Sequence, residues 1–152
     1  MSRWPQLTLT DRDRLTRWPR ICEAGRMDRQ DVTAWVAAYE RAWRAAGVDA
    51  LADIFTPDAV YRQGPYEAPL TGLSAIGRMW EQERSGPDEG FTMSVDVVAV
   101  EEDTAVVRVQ VQYGGPVEQE YRDLWVIRFT SDRRCREFEE WPFSPDRPIA
   151  TR

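Results

Sequence analysis

From Asp31 onward the apolar positions fall into a helical rhythm. Val32, Trp35, Val36, Tyr39, Ala42, Trp43 and Ala46 recur at three-and-four spacing, which places them on one face of a helix closed by Gly47. Asp28 is the expected N-cap, since its short carboxylate can accept from the free first-turn amides. Val48 to Phe55 predicts a second, short helix with Leu51, Ile54 and Phe55 inward, stopped by Thr56-Pro57-Asp58. Ala59 to Gln63 predicts a short strand, followed by an irregular stretch holding Gly64, Pro65 and Pro69. Leu73 to Arg84 predicts a third helix with Leu73, Ile76, Met79 and Trp80 inward, ended by Gly86-Pro87.

The period then changes from three-and-four to two. Phe91, Met93, Val95 and Val97 alternate along a strand running to Val100. In Thr104–Tyr113, Ala105, Val107, Val109 and Val111 oppose Val106, Arg108, Gln110 and Gln112, which describes a strand with one buried and one polar face. Gly114-Gly115-Pro116 turns the chain into Val117–Thr130, and Ser131-Asp132-Arg133 turns it into Arg134–Trp141. Three helices, one short strand and four long antiparallel strands predict an α+β fold. Helices laid on one face of a curved sheet would enclose a cone-shaped cavity.

One position breaks the pattern. Tyr121, Asp123, Trp125, Ile127 and Phe129 share a strand face, so an aspartate stands among four large apolar side chains. A carboxylate there is either hydrogen-bonded structure or part of a site, because burying it without a partner is costly.

Composition narrows the chemistry. The chain of 152 residues has no His, and all 20 of its basic residues are Arg. Without His or Lys there is no histidine general base, no Schiff-base lysine and no P-loop, and nearly all zinc and iron sites are excluded. Acid/base work falls to carboxylates and tyrosines, with no metal and no organic cofactor expected. A net charge of -6 argues against a nucleic-acid partner, and the lack of any run of about eighteen apolar residues argues against a membrane one. Cys22 and Cys135 have no paired spacing and read as reduced thiols in a cytoplasmic protein.

Residues 1–29 differ from the rest. They carry seven Arg against four acids without a clear period, so they are expected to be a poorly ordered extension. An alternative reading starts the protein at Met27. The folded domain is expected over 30–143, with 144–152 a Pro-rich tail.

The run Tyr39-Glu-Arg-Ala-Trp43 through Gly47, then Phe55-Thr-Pro-Asp-Ala-Val60, then Thr71-Gly72 before a helix, resembles the nuclear transport factor 2-like superfamily, in its SnoaL-like branch. The resemblance implies a cone of three N-terminal helices packed on a curved, mainly antiparallel sheet. It also implies a small hydrophobic or polycyclic ligand and a homodimer formed through the outward sheet face bearing Arg108, Gln110, Gln112, Arg122 and Arg128. Against the steroid isomerases of this superfamily, Tyr39 matches the helix tyrosine. The base position falls at Gln63, however, and the later aspartate at Trp125, two residues beyond Asp123. The Arg-x-Asp element of limonene epoxide hydrolase-like enzymes becomes Arg108-Val109-Gln110, without the acid. Polyketide cyclases of the SnoaL type, which use an aspartate as acid/base, remain open to Asp123.

These readings make Asp123 and Tyr39 the candidate catalytic residues, for isomerase, cyclase or hydrolase chemistry. Trp43, Tyr61, Gln63, Trp80, Trp125 and Phe138 are the candidate ligand-binding residues. A non-catalytic binding or dimerisation module is the alternative. The parity of Glu137, Glu139 and Glu140 stays open: alternation from Cys135 sends Glu137 and Glu139 inward, whereas the resemblance sends Phe138 and Glu140 inward. A bulge would reconcile the two, but an acidic edge paired with Arg122, Arg128 or Arg136 is the preferred expectation.

Overall fold

The computed structural model describes residues 26–86 and 88–146. Most of the expected extension and the end of the Pro-rich tail lie outside the described residues, as does Cys22. The order is α1 (Arg29–Arg44), α2 (Leu51–Ile54), β1 (Phe55–Arg62), β2 (Leu70–Thr71), α3 (Leu73–Glu83), β3 (Phe91–Glu101), β4 (Thr104–Tyr113), β5 (Gln119–Phe129) and β6 (Cys135–Phe143). The strands form one curved sheet in the order β2-β1-β6-β5-β4-β3, antiparallel except for the β1–β6 pair. This is an α+β fold, with helices packed on one face of a curved, mainly antiparallel sheet that closes into a cone.

Helix α1 begins with a reciprocal cap. Asp31 N–H donates to Asp28 Oδ1 at 2.8 Å, and Asp28 N–H donates to Asp31 Oδ2 at 3.2 Å. Its apolar stripe lies against the sheet: Trp35 packs edge-on against Phe55 and Phe129, and its indole N–H donates to the Ile54 carbonyl at 2.9 Å. Packing starts before the helix, because Met27 is buried and its N–H donates to the Glu102 carbonyl.

The other end of α1 is held by one side chain. Arg84 follows α3, and its guanidinium donates to the carbonyls of Ala42, Trp43, Ala45 and Gly47. Ala42 and Trp43 belong to the last turn of α1, where carbonyls run short of amide partners, and Ala45 and Gly47 to the bend that follows it. With its side chain only 5% exposed, Arg84 ties the ends of α1 and α3 together below Trp43 and Trp80.

Three element boundaries depart from expectation. Helix α2 is a single turn ending at Ile54, and Phe55 already pairs with Cys135 in the sheet. Thr56 precedes a proline, which disfavours helical backbone and lets the strand begin early. The stretch read as irregular contains β2, where Val60 pairs with Thr71 and Tyr61 with Leu70. Strand β6 continues through Pro142 to Phe143. The β4 pattern stands as read, with Ala105, Val107, Val109 and Val111 buried.

Candidate functional site

The open end of the cone holds a cavity of about 1100 Å³. Its inner wall comes from α1 (Tyr39, Trp43), β1 (Tyr61), β5 (Asp123, Trp125) and β6 (Glu140). Phe91, Tyr113 and Tyr121 form a chain of contacting rings on the sheet side, with centroids 5.5 and 6.2 Å apart.

Asp123 sits on the inner face of β5, opposite Pro142, and is 9% exposed. The Trp125 indole N–H lies 3.4 Å from Oδ2, a long and weak donation, and buried Oδ1 has no partner among the described residues. Desolvation raises its carboxyl to a pKa of about 6, the indole hydrogen bond opposing the shift.

Glu140 corrects the acidic-edge expectation. Arg128 pairs with Glu137 and Phe129 with Cys135, so Arg136 is the extra residue of a β-bulge. The bulge lets Cys135 and Phe138 both face the core, and Glu140, opposite Trp125, follows Phe138 into the cavity. Glu137 does behave as an edge acid, bonded to Arg128 at 2.8 Å. Glu139 accepts from the Trp141 indole on the outer face at 2.8 Å. Inside, desolvation first and the nearby Asp123 and Glu83 carboxylates next raise Glu140 to about 8, with the Tyr61 hydroxyl acting in the opposite direction. Glu140 keeps part of its surface towards the cavity, so water there softens this burial.

The two tyrosines complete the floor. The Tyr39 and Tyr61 hydroxyls are 3.1 Å apart, and burial holds both phenols well above their ordinary pKa. At neutral pH they are donors. Tyr39 stacks on Phe138 at 5.5 Å and meets Trp125 at 4.8 Å.

Asp123, Tyr39, Trp43, Tyr61, Gln63 and Trp125 therefore converge on one cavity. Trp80 and Phe138 stand behind that wall. Both are almost wholly buried and touch Tyr39 rather than the open space. The Gln63 amide donates to Glu83, also a lining residue. Among the described residues no group of His, Cys, Asp and Glu is placed to hold a metal ion.

The family model of the SnoaL-like domain matches residues 32–138. Among solved structures, the chain is similar to a cystatin-like-fold protein of unknown function from Methylobium petroleophilum PM1, with 18% identity, 84% of this chain and 85% of that one covered, and a TM-score of 0.61. It is also similar to a candidate polyketide cyclase from Sinorhizobium meliloti, with 24% identity, 76% and 100% covered, and a TM-score of 0.57. A third is SalBIII, an epoxide hydrolase/cyclase-like enzyme of pyran ring formation in the polyether salinomycin, with 16% identity, 76% and 93% covered, and a TM-score of 0.60. At these identities the likeness is one of fold. No curated protein matches.

Proposed function

Since the chain belongs to the SnoaL-like domain family, we propose that it is a cofactor-free acid/base catalyst acting on a small hydrophobic, polycyclic-sized molecule. The carrying observation is a pair of carboxyls in one cavity with unequal surroundings. Asp123 has an unpartnered oxygen and one long indole donor, while Glu140 lies opposite Trp125 beside the Tyr61 hydroxyl. Burial raises the first to about 6 and the second to about 8. At neutral pH the first is mostly a carboxylate with a bare oxygen and the second mostly a carboxylic acid. Groups whose proton affinities are pushed apart in one site are suited to take a proton at one atom and return it at another. Tyr39 and Tyr61 add hydroxyl donors that a developing oxyanion would accept from. This supports isomerase or cyclase chemistry over a module that only binds, and it adds Glu140 to Asp123 and Tyr39 as a working residue.

Proton transfer to and from carbon leaves a trace even where the physiological substrate is unknown. Wild-type protein is expected to catalyse deuterium incorporation from D₂O next to the carbonyl in a panel of polycyclic ketones, followed by NMR. Asp123→Asn is expected to slow it by roughly a hundredfold or more. Equal rates in the two proteins, with ligand still bound, would leave the binding-module reading in its place.

We further propose a cytoplasmic homodimer paired through the outer sheet face. Val106, Leu124, Val126 and Trp141 are half-buried there, ringed by the Arg108–Asp96, Arg122–Glu120 and Arg128–Glu137 ion pairs. An apolar centre with a charged rim is the composition of a protein interface. Analytical ultracentrifugation is expected to give twice the chain mass and Leu124→Glu the monomer; a monomeric wild type would refute the pairing. No described helix is long and apolar enough to cross a membrane.

A further inference from the structure

We propose that the molecule taken by this cavity is an organic cation: a protonated amine carried on an apolar body, with the ammonium seated at the Asp123 carboxylate. The inference rests on the pocket reading above and narrows its ligand to one charge class.

Three observations carry it. The first is the unpartnered Asp123 Oδ1, on a side chain 9% exposed and lining the cavity. A buried carboxylate oxygen with no donor is costly, and a bound N–H⁺ would supply the missing donor and the missing charge together. The second is the sign of the wall. Glu40, Glu67, Glu83, Glu89, Glu118 and Asp146 line the same cavity as Asp123 and Glu140, and none of the described arginines does. Of these, Glu40 is neutralised by Arg44 at 2.7 Å, while no ion pair joins Glu83, Glu89 or Glu118 to an arginine among the described residues. Field lines from like charges in a cleft concentrate there, favouring cations and opposing carboxylate or phosphate ligands. The third is the aromatic surface. Trp125, Tyr39 and Tyr61 surround the carboxyls, and Phe91, Tyr113 and Tyr121 continue to the sheet side. Aromatic faces attract cations, and Phe91 already does so here, with the Arg44 guanidinium 3.7 Å from its ring centre.

Metal ions are the poorer fit to the same acids. No group of His, Cys, Asp and Glu among the described residues is arranged to hold one, whereas the volume of about 1100 Å³ suits a multi-ring organic molecule. Arginine is the protein's only basic residue, at 20 positions, yet the described arginines lie on outer surfaces, in ion pairs or at the α1 cap. No described arginine lines the cavity itself, although Arg44 reaches two residues of its wall, Glu40 and Phe91.

The test uses the full chain and three matched probes: anthracene bearing a methylammonium, a hydroxymethyl or a carboxylate group, titrated by calorimetry. The ammonium is expected to bind at least about tenfold more tightly than the neutral alcohol, and the carboxylate more weakly than both. The ammonium's advantage should shrink as salt is raised. It should also disappear in Asp123→Asn/Glu140→Gln, whose fold is verified by its melting curve. Should the double variant not fold, the salt series on wild type decides. Alcohol and ammonium binding alike, or a preference for the carboxylate, would overturn the cation inference while leaving the pocket reading intact. If none of the three binds at up to about 1 mM, both fall.

Discussion

Trp125 and Glu140 face one another across the β5–β6 ladder, so the carboxyl shares the indole's side of the sheet and enters the cavity next to Asp123. The pairing puts two acids in one enclosure, where Asp123 has only the long Trp125 N–H donation and Glu140 has the Tyr61 hydroxyl. Burial raises both above their ordinary range, to about 6 and about 8. A folded-state carboxyl pKa above its unfolded value means that the folded chain binds more protons, so stability falls as pH rises through that interval. The windows run from the ordinary carboxyl values of 3.8 and 4.5 up to those raised values. Urea midpoints are expected to be highest near pH 4.5 and to fall towards pH 8. Glu140→Gln should flatten the upper part of the decline. A midpoint that rises across this range would contradict the arrangement.

The hydroxyl pair gives a second expectation. Tyr39 and Tyr61 come from different elements, and their hydroxyls meet at 3.1 Å. Tyr61→Phe leaves Tyr39 without that partner and removes the group that opposes Glu140's upward shift. It should cost about 1–2 kcal/mol and move the Glu140 titration upward. Because both single variants break the same bond, the double variant with Tyr39→Phe should cost less than their sum. Denaturant unfolding of the four proteins reads this coupling, and strict additivity would argue against it.

Local pattern made some of this site legible and left the rest to long-range pairing. The α1 stripe from Val32 to Trp43 and the β4 alternation follow from spacing alone, because each element shows one face to the core. Asp123 stood out as a charge within an apolar period. Glu140 falls between two parities, with the acidic edge preferred, since the extra residue at Arg136 reverses parity between Cys135 and Phe138. A bulge is a relation between two strands and leaves no mark in one. The only trace in the sequence is the conflict of parity between Cys135 and Phe138, three apart, which a bulge resolves. Trp80 and Phe138 were read with the cavity lining because large aromatics serve core and pocket alike. Their place behind Tyr39 depends on packing that no period encodes.

Arg84 was read only as the end of α3, yet four carbonyls at the end of α1 depend on it. Arg84→Met keeps the apolar stem against Trp43 and Trp80 while removing every donor. It is expected to cost about 3 kcal/mol, the range for losing a buried, hydrogen-bonded charge. Arg84→Lys should recover only part of this, since an ammonium cannot span four acceptors as the guanidinium fork does. Tm values for the three proteins check the order wild type, Lys, Met. Because Trp43 lines the cavity, the ligand affinity of Arg84→Met should fall with its stability.

The last expectation concerns Cys135, the one free thiol among the described residues. It opens β6 directly before the bulge, is wholly buried, and donates to the Glu137 carbonyl at 3.2 Å. Burial pushes its pKa well above that of an ordinary thiol, so the reactive thiolate is scarce at neutral pH and solvent cannot reach the sulfur. Alkylation by iodoacetamide should therefore track opening of the β5–β6 ladder rather than thiol chemistry. With peptide mapping to separate it from Cys22, labelling of Cys135 is expected to be negligible in native buffer. It should rise along the same urea curve as loss of Trp fluorescence. Glu140→Gln should leave native labelling unchanged and, at pH 8, shift the labelling midpoint to higher urea. Rapid native-state alkylation would place this strand start outside the core and remove the geometric basis for Glu140 facing inward.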